Sequence, residues 1–379
     1  MMPTNPDPAA NSPGRILLGM SGGVDSSVAA FLLKQQGWEV VGLTLLTHDG
    51  GRGAAEDASS VCSQLGLAWH LADVREKFAQ IVIKDFIEGY LAGRTPNPCV
   101  ICNPAIKFVT LYEEAARLSC SAVATGHYAA VGRNPENGRL ALSKTEAGLK
   151  DQTYFMYRLN QEQLRRLIFP LSGLDKARVR QIAANAGLLG SLGGKIAEKP
   201  DSQDNCFIPD GNYAEYIEKY LSSKANVAKY NQIFPGPVVN MLGQQIGTHQ
   251  GLIHYTFGQR KGFQVQTTER LFVIGKIPAT NSLIVGLHDQ VMRSQIWISE
   301  PVLSGLAVME SGKRLEARIR NSAREAPCTV FPVDDKLWRV VFDQPVSAPA
   351  PGQSCVFYKN CLIMAGGFIA EDAEASSDC

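Results

Sequence analysis

Seven residues constrain this chain more than any others: Ser21-Gly22-Gly23-Val24-Asp25-Ser26-Ser27. They follow the apolar run Ile16-Leu17-Leu18-Gly19-Met20 and precede a helix-like stretch, Val28 to Gln36, closed by Gly37. Strand, glycine turn and helix start form an anion site. Gly22 and Gly23 are free to take positive φ, so successive backbone N–H groups converge into a nest. The helix start adds unpaired N–H groups and partial positive charge, and the serines add hydroxyl donors. The ligand implied is phosphate. The string lacks the lysine of a Walker loop and the spacing of a G-x-G-x-x-G turn.

The remaining pattern supports a sheet to carry this turn. Val40 to Leu46, Leu67 to Leu71 and Ala122 to Thr125 read as strands. Ala55 to Leu65, Lys77 to Leu91 and Ile106 to Leu118 read as helices, the second from Phe78, Ile81, Val82, Phe86 and Tyr90 at helical spacing. The βαβα order predicts α/β architecture, a doubly wound parallel sheet with ligands beyond the carboxyl ends of its strands. Asn137-Gly138 predicts a hairpin. Further helices are expected at Gln161 to Ile168, Lys176 to Ala186 and Tyr213 to Leu221. From about Val238 to Ile369, short Val/Ile/Phe runs alternate with turns, as in a small β-barrel.

Composition narrows the setting. A net charge of +1 over 379 residues announces no global affinity for nucleic acid, so any RNA surface is a local patch. No apolar run reaches the ~20 residues that span a bilayer. Met1 to Gly14 lacks the basic and apolar regions of a signal peptide and reads as a disordered leader; the expected location is the cytoplasm. The nine cysteines are an odd count without a disulfide framework. Cys62, Cys120, Cys328, Cys355 and Cys361 lie in apolar or strand-like stretches and read mostly as core residues, and Cys379 as a loose end.

Three other cysteines lie in loops. Thr95-Pro96-Asn97-Pro98-Cys99-Val100-Ile101-Cys102-Asn103 reads as a proline-stiffened loop holding two thiols. Lys199-Pro200-Asp201-Ser202-Gln203-Asp204-Asn205-Cys206-Phe207 is a polar loop holding one.

SGGVDSS resembles the PP-loop of the ATP pyrophosphatases. With the cysteine loops and several further strings the resemblance becomes specific. Gly19-Met20 before the loop, Cys102-Asn103 with Ile106-Lys107-Phe108, Ala124-Thr125-Gly126-His127-Tyr128, Lys150-Asp151-Gln152, Cys206-Phe207-Ile208, Gly258-Gln259-Arg260-Lys261-Gly262 and Pro351-Gly352-Gln353-Ser354 stand in the order found in the tRNA-uridine 2-sulfurtransferases (2-thiouridylases) of the MnmA family. The chain resembles that family from about Arg15 to Ile369.

The resemblance implies a PP-loop ATP pyrophosphatase domain over 15–170, a small mixed central domain over 171–265 that contacts tRNA, and a C-terminal β-barrel over 266–370, with a disordered tail over 371–379. It implies adenylation of the uracil C2 oxygen at the tRNA wobble position, followed by sulfur attack at C2, for which a low-pKa thiolate or a persulfide is suited. Cys102 is then the catalytic nucleophile and Cys206 the persulfide carrier, with a disulfide between them resolving the transfer. ATP, with Mg²⁺, is expected on Gly19, Met20, Ser21, Gly22, Gly23, Val24, Asp25, Ser26, Leu45 and Gly126. Asp25 has two readings, Mg²⁺ assistance or helix capping. Expected tRNA contacts, centred on the anticodon stem–loop, are Asn97, Pro98, Cys99, His127, Lys150, Asp151, Gln152, Arg260, Lys261, Arg320, Asn321 and Gln353, with Arg318 and Arg324 in the same basic group. The expected sulfur donor is a cysteine desulfurase or a sulfur-relay protein.

Cys99 departs from the family, many members of which carry aspartate there. Three readings stand: a neutral replacement, a ligand with Cys102 and Cys206 of a [4Fe–4S] cluster, or half of a zinc site. Two rival functions stand beside sulfur transfer: another PP-loop ligase, and a non-catalytic nucleotide-gated RNA-binding module.

Overall fold

The computed structural model describes residues 13–145, 151–200, 205–208, 210–223, 227–265 and 267–371. The expected leader and tail lie outside the described residues except for Pro13, Gly14 and Glu371; Lys150 and Cys379 also lie outside them. Among the described residues, no helix is long and apolar enough to cross a membrane.

The first domain is built on β1 (Arg15–Gly19), α1 (Val24–Gln35), β2 (Glu39–Leu46), α2 (Arg52–Gln64) and β3 (Ala68–Asp73). A long helical segment follows: α3 (Arg75–Phe78), a π turn at Ala79–Ile83 and α4 (Lys84–Leu91). Next come α5 (Pro98–Cys102), a second π turn at Asn103–Lys107, α6 (Phe108–Arg117) and β4 (Ala122–Thr125). The hairpin β5 (Ala130–Arg133) and β6 (Leu140–Ser143) precedes α7 (Gln161–Arg165), β7 (Leu167–Ile168) and α8 (Lys176–Asn185). The parallel sheet has the order β3-β2-β1-β4-β7. Ile16 and Leu18 of β1 enter one core with α1 and α8, while Leu17 enters the other with α6. A strand buried on both faces reads as an unbroken apolar run, which is why β1 was visible in the sequence.

Three expectations change. The helix expected over Gln161 to Ile168 stops at Arg165, and Leu167–Ile168 pairs with β4. Pairing with β4 holds Leu167 and Ile168 extended, and Pro170 blocks a continuing helix because it has no N–H for the Arg166 carbonyl. The expected loop around Cys99 and Cys102 is a helix. Asn97 caps it by accepting from the Cys99 N–H, and Pro98 takes the first helical position, where its missing N–H costs nothing. Cys361 is exposed rather than in the core, unlike Cys62, Cys120, Cys328 and Cys355.

Helix α9 (Tyr213–Ser222) leads into the second sheet, formed by β8 (Gly236–Val239), β9 (Gln245–His249), β10 (Gln264–Val265), β11 (Phe272–Ile277) and β12 (Ser282–Gly286) in the order β10-β9-β8-β12-β11. The boundary expected at residue 265 falls between β10 and β11 of this sheet.

The last strands are β13 (Met292–Leu303), β14 (Lys313–Arg318), β15 (Ala326–Pro332), β16 (Leu337–Ser347), β17 (Ser354–Lys359) and β18 (Leu362–Ile369). They run β13-β16-β15-β14-β17-β18, all antiparallel, and a β13–β18 pairing closes the barrel. The hairpin β5–β6 joins this barrel at β18 through Ser143 and Leu362.

The barrel is locked to the first domain by buried polar bonds. The Tyr154 hydroxyl donates to the Ser354 carbonyl at 2.7 Å, and Arg318 meets Asp151 at 2.6 Å with side chains only 13% and 6% exposed. Arg318, expected in a tRNA-facing basic group, is thus occupied internally. Removing one partner of a buried pair strands the other charge. Arg318→Ala is therefore expected to cost about 3–5 kcal/mol of stability, read as a large fall in thermal midpoint. The exposed neighbour Arg320→Ala is expected to stay within about 0.5 kcal/mol. Equal midpoints for the two variants would refute the internal role.

Candidate functional site

The glycine turn sits at the carboxyl end of β1, where the sheet order reverses between β1 and β4. Met20 is buried, and its N–H donates to the Leu43 carbonyl at 2.8 Å. Gly22 takes φ +70°, and a Cβ there would lie 2.0 Å from the Ala54 carbonyl of α2. Gly23 is the N-cap of α1 and has no side-chain capping bond, so the α1 N–H groups are not covered by a cap. Ser26 Oγ accepts from the Ser21 N–H at 3.2 Å, and Ser27 Oγ donates to the Gly23 carbonyl at 2.9 Å. These bonds hold the turn shut on itself as a cradle.

Of the two readings of Asp25, helix capping is not what the structure displays. It caps nothing; its carboxylate accepts from Lys176 Nζ at 2.7 and 2.8 Å and from the Tyr128 hydroxyl at 2.7 Å. The loop's own carboxylate is therefore paired with a lysine. Gly126, just past β4, is required by close approach: a Cβ would lie 2.8 Å from Ser26 N. Leu45 packs into both the α6 core and the α4–α9 core.

A second lysine borders the turn. Lys199 Nζ donates to the Gly22 carbonyl at 2.9 Å and pairs with Asp57. Burial opposes ionisation of Asp57, yet Lys199 and Ser191 hold its carboxyl below the usual range. Neither Lys199 nor Lys176 is marked by the motif, because neither stands within the loop.

Cys99, Cys102 and Cys206 lie within electrostatic reach of one another beyond this edge. Cys206 is brought there by its neighbours. Phe207 inserts edge-on among Phe78, Phe86 and Tyr216 with ring centroids at 5.6, 5.4 and 5.3 Å, and Ile208 is buried beside it. Ile101 and Cys102 pack against this same cluster. The Thr47 hydroxyl, just past β2, hydrogen-bonds Cys206. The barrel grips the strand of chain before Cys99: Thr95 N–H donates to the Pro351 carbonyl, and Gln353 Nε2 donates to the Thr95 carbonyl, both at 2.8 Å.

Cys99 and Cys206 carry exposed surface and Cys102 is half-buried, but protein surrounds each sulfur on most other sides. That enclosure, rather than the open edge, governs acidity. Burial pushes Cys102 up to about 12, with Lys107 opposing and Cys206 and Cys99 adding repulsion. Burial also raises Cys99 and Cys206, again against Lys107. Burial thus works against the thiolate arm of the expectation in the unloaded protein and leaves its persulfide arm untouched. Burial, then Lys107, holds His127 well below the usual histidine range, so its ring is neutral.

Three thiolates are a donor set that iron–sulfur clusters use. Among the described residues, however, no three His, Cys, Asp or Glu side chains are grouped to hold a metal ion. The described side chains therefore do not fit the cluster or zinc readings of Cys99. All eight described cysteines are free.

The expected tRNA contacts are spread over three domains. Asn97 and Pro98 start the cysteine helix, and His127 lies between that helix and the glycine turn. Asp151 is buried against Arg318, while Gln152 Oε1 accepts from the Tyr128 N–H at 3.0 Å. Arg260 and Lys261 are exposed on the central domain, and Arg320 on the barrel, where the Asn321 carbonyl accepts from Arg318.

Residues 14–210 match the family described as tRNA methyl transferase HUP domain. Residues 224–287 match the tRNA methyl transferase PRC-barrel domain, and 293–369 the aminomethyltransferase beta-barrel domain. The tRNA-specific 2-thiouridylase MnmA of Clostridioides difficile is 37% identical over 366 residues, covering 94% of this chain and 98% of that protein. Its namesake in Symbiobacterium thermophilum is 40% identical over 371 residues, covering 94% and 92%. A solved NH3-dependent NAD synthetase of Campylobacter jejuni overlaps 46% of this chain and 64% of its own at 22% identity and TM-score 0.29, too low to carry an argument.

The raised acidity constant of Cys102 makes a direct prediction. Only the thiolate reacts with iodoacetamide, so labelling of Cys102 should climb about tenfold per pH unit from ~8 to ~11. Peptide mass analysis reads the rate, and a plateau near pH ~8 would contradict the enclosure described.

Proposed function

This chain belongs to the tRNA-specific 2-thiouridylase family, and from that premise we propose how it performs tRNA 2-thiolation. The enzyme is a tRNA-uridine sulfurtransferase. ATP is its co-substrate, seated with its phosphates on the Ser21–Ser27 turn, and the target is the wobble uridine of the anticodon stem–loop.

The observation that carries this reading is a short spatial path. The glycine turn touches Gly126; Gly126 leads to His127; His127 meets Lys107; Lys107 acts on all three thiols. A nucleotide cradle and a sulfur-handling centre thus share one sheet edge. A PP-loop ligase for a small acid has no use for such a centre, and a non-catalytic RNA-binding module has no use for either.

The chemistry follows from what uracil lacks. Its C2 oxygen is a poor leaving group. Attack of that oxygen on the ATP α-phosphate releases pyrophosphate and turns the oxygen into part of AMP. A Cys206 persulfide then attacks C2 through its outer sulfur, and AMP departs. The Cys102 thiol, losing its proton to solvent as it reacts, attacks the Cys206 sulfur, forming the Cys102–Cys206 disulfide and releasing the outer sulfur with its electron pair on C2 as the thiouridine. A sulfane-sulfur donor loads Cys206, and a dithiol reductant returns the disulfide to two thiols. Mg²⁺ fits as an ion carried on the nucleotide phosphates, because Asp25 is already held by Lys176 and Tyr128.

The enclosure that disfavours the thiolate at rest serves this scheme. A persulfide is a stronger acid than its parent thiol, because the second sulfur spreads the charge. Loaded Cys206 therefore ionises more readily than unloaded Cys206, which favours the loaded form as the nucleophile.

Unmodified tRNA, ATP and a persulfide donor should yield thiouridine with wild-type enzyme. Cys206→Ser should lower that yield by about 10³-fold or more while tRNA-dependent pyrophosphate release persists. Cys99→Ser should retain thiolation. Full thiolation by Cys206→Ser would sink the mechanism.

A further inference from the structure

The π turn between Cys102 and Lys107 has a geometric effect that an ordinary helix would not produce. In an α-helix, residues five apart point about 140° away from each other. In a π turn, i→i+5 bonding brings them toward one face. Pro104 lies inside this turn; it has no N–H to donate, and its ring opposes the carbonyl four residues back, so the chain widens. Asn103 fixes the widened turn by donating from Nδ2 to the Phe155 carbonyl at 2.9 Å. Lys107 is thereby turned onto the side of the helix that carries Cys102.

We propose that Lys107 is the counter-charge of the sulfur-carrying step, its ammonium stabilising the anionic persulfide on Cys206 and the thiolate of Cys102. The inference rests on the sulfur-transfer reading above and adds to it an electrostatic residue that holds the thiols' charge without bonding to sulfur.

Four observations support it. Lys107 Nζ lies 3.5 Å from His127 Nε2. A lysine ammonium only donates, so Nε2 is the acceptor, and Nδ1 carries the ring proton and donates it to Thr125 Oγ1 at 2.8 Å. The ring is neutral, so it orients the ammonium without cancelling its charge as a carboxylate would. Stacking on Phe108, with centroids 6.3 Å apart and planes at 26°, holds the ring in that orientation. Finally, Lys107 is the cation common to Cys99, Cys102 and Cys206, drawing each toward its anion against the burial that opposes it.

The test compares wild type with Lys107→Gln and Lys107→Arg in the free, full-length enzyme. Iodoacetamide labelling of Cys102 and Cys206 is followed at one pH near ~8.5, in the absence of ATP and tRNA. Lys107→Gln should slow labelling of both thiols about three- to tenfold, the equivalent of roughly half to one pH unit, whereas Lys107→Arg should stay within about twofold of wild type. Thiolation kcat should fall in the same order, with KM for ATP unchanged. Wild-type labelling rates in Lys107→Gln would overturn the proposal, as would Lys107→Arg as slow as Lys107→Gln. Labelling needs neither co-substrate. A wild-type enzyme that labels as expected but makes no thiouridine would refute the functional reading and leave the role of Lys107 intact.

Discussion

The site depends on one packing event, the insertion of Phe207 among Phe78, Phe86 and Tyr216. Cys206 is more than a hundred positions from Cys102 in sequence, and no regular element joins them. Burying a Phe and an Ile contributes about 1.5–3 kcal/mol each, and aromatic edge contacts add about 0.5–1.5 kcal/mol apiece. Ordering backbone costs about 1–2 kcal/mol per residue. The anchor therefore suffices to hold the few residues around Cys206, and it holds them on the cluster that Cys102 also touches. Position of the sulfur is thus a consequence of apolar packing one residue away.

The electrostatics of the cleft set two forces against each other. Burial drives the thiols toward the neutral form, and mutual repulsion adds to it for Cys102 and Cys206. Lys107 opposes both, but burial wins, since Cys102 remains at about 12. A centre tuned in this way disfavours the thiolate at rest. At the other end of the cleft the same economy appears in reverse: Asp25 is matched to Lys176 and Asp57 to Lys199, so the glycine turn offers its donors without a bare carboxylate beside them.

Much of this was legible in the sequence. Buried parallel strands declare themselves as apolar runs, and β1, β2 and β4 were read within a residue or two. The glycine turn was legible because positive φ and close approach both demand glycine, as Gly22 and Gly126 illustrate. What escaped was whatever depends on long-range packing. The hairpin at Asn137-Gly138 was visible, but not that it would join the barrel. Proline-rich flanks suggested a loop where Pro98 and Asn97 in fact start a helix. The π turn has no periodicity signal, so the role of Lys107 was hidden behind an α-helical spacing that points it elsewhere. Lys176 and Lys199 were hidden too, since only the fold brings them to the glycine turn.

The central claim is that Cys206 hands its sulfur to uracil and that Cys102 resolves the remainder. A single turnover tests it most directly. Persulfide-loaded enzyme is mixed with unmodified tRNA and ATP without reductant, quenched in acid with an alkylating agent, and mapped by peptide mass. The account predicts one Cys102–Cys206 disulfide for each thiouridine formed. Thiouridine formed with both cysteines recovered as alkylated free thiols would contradict it.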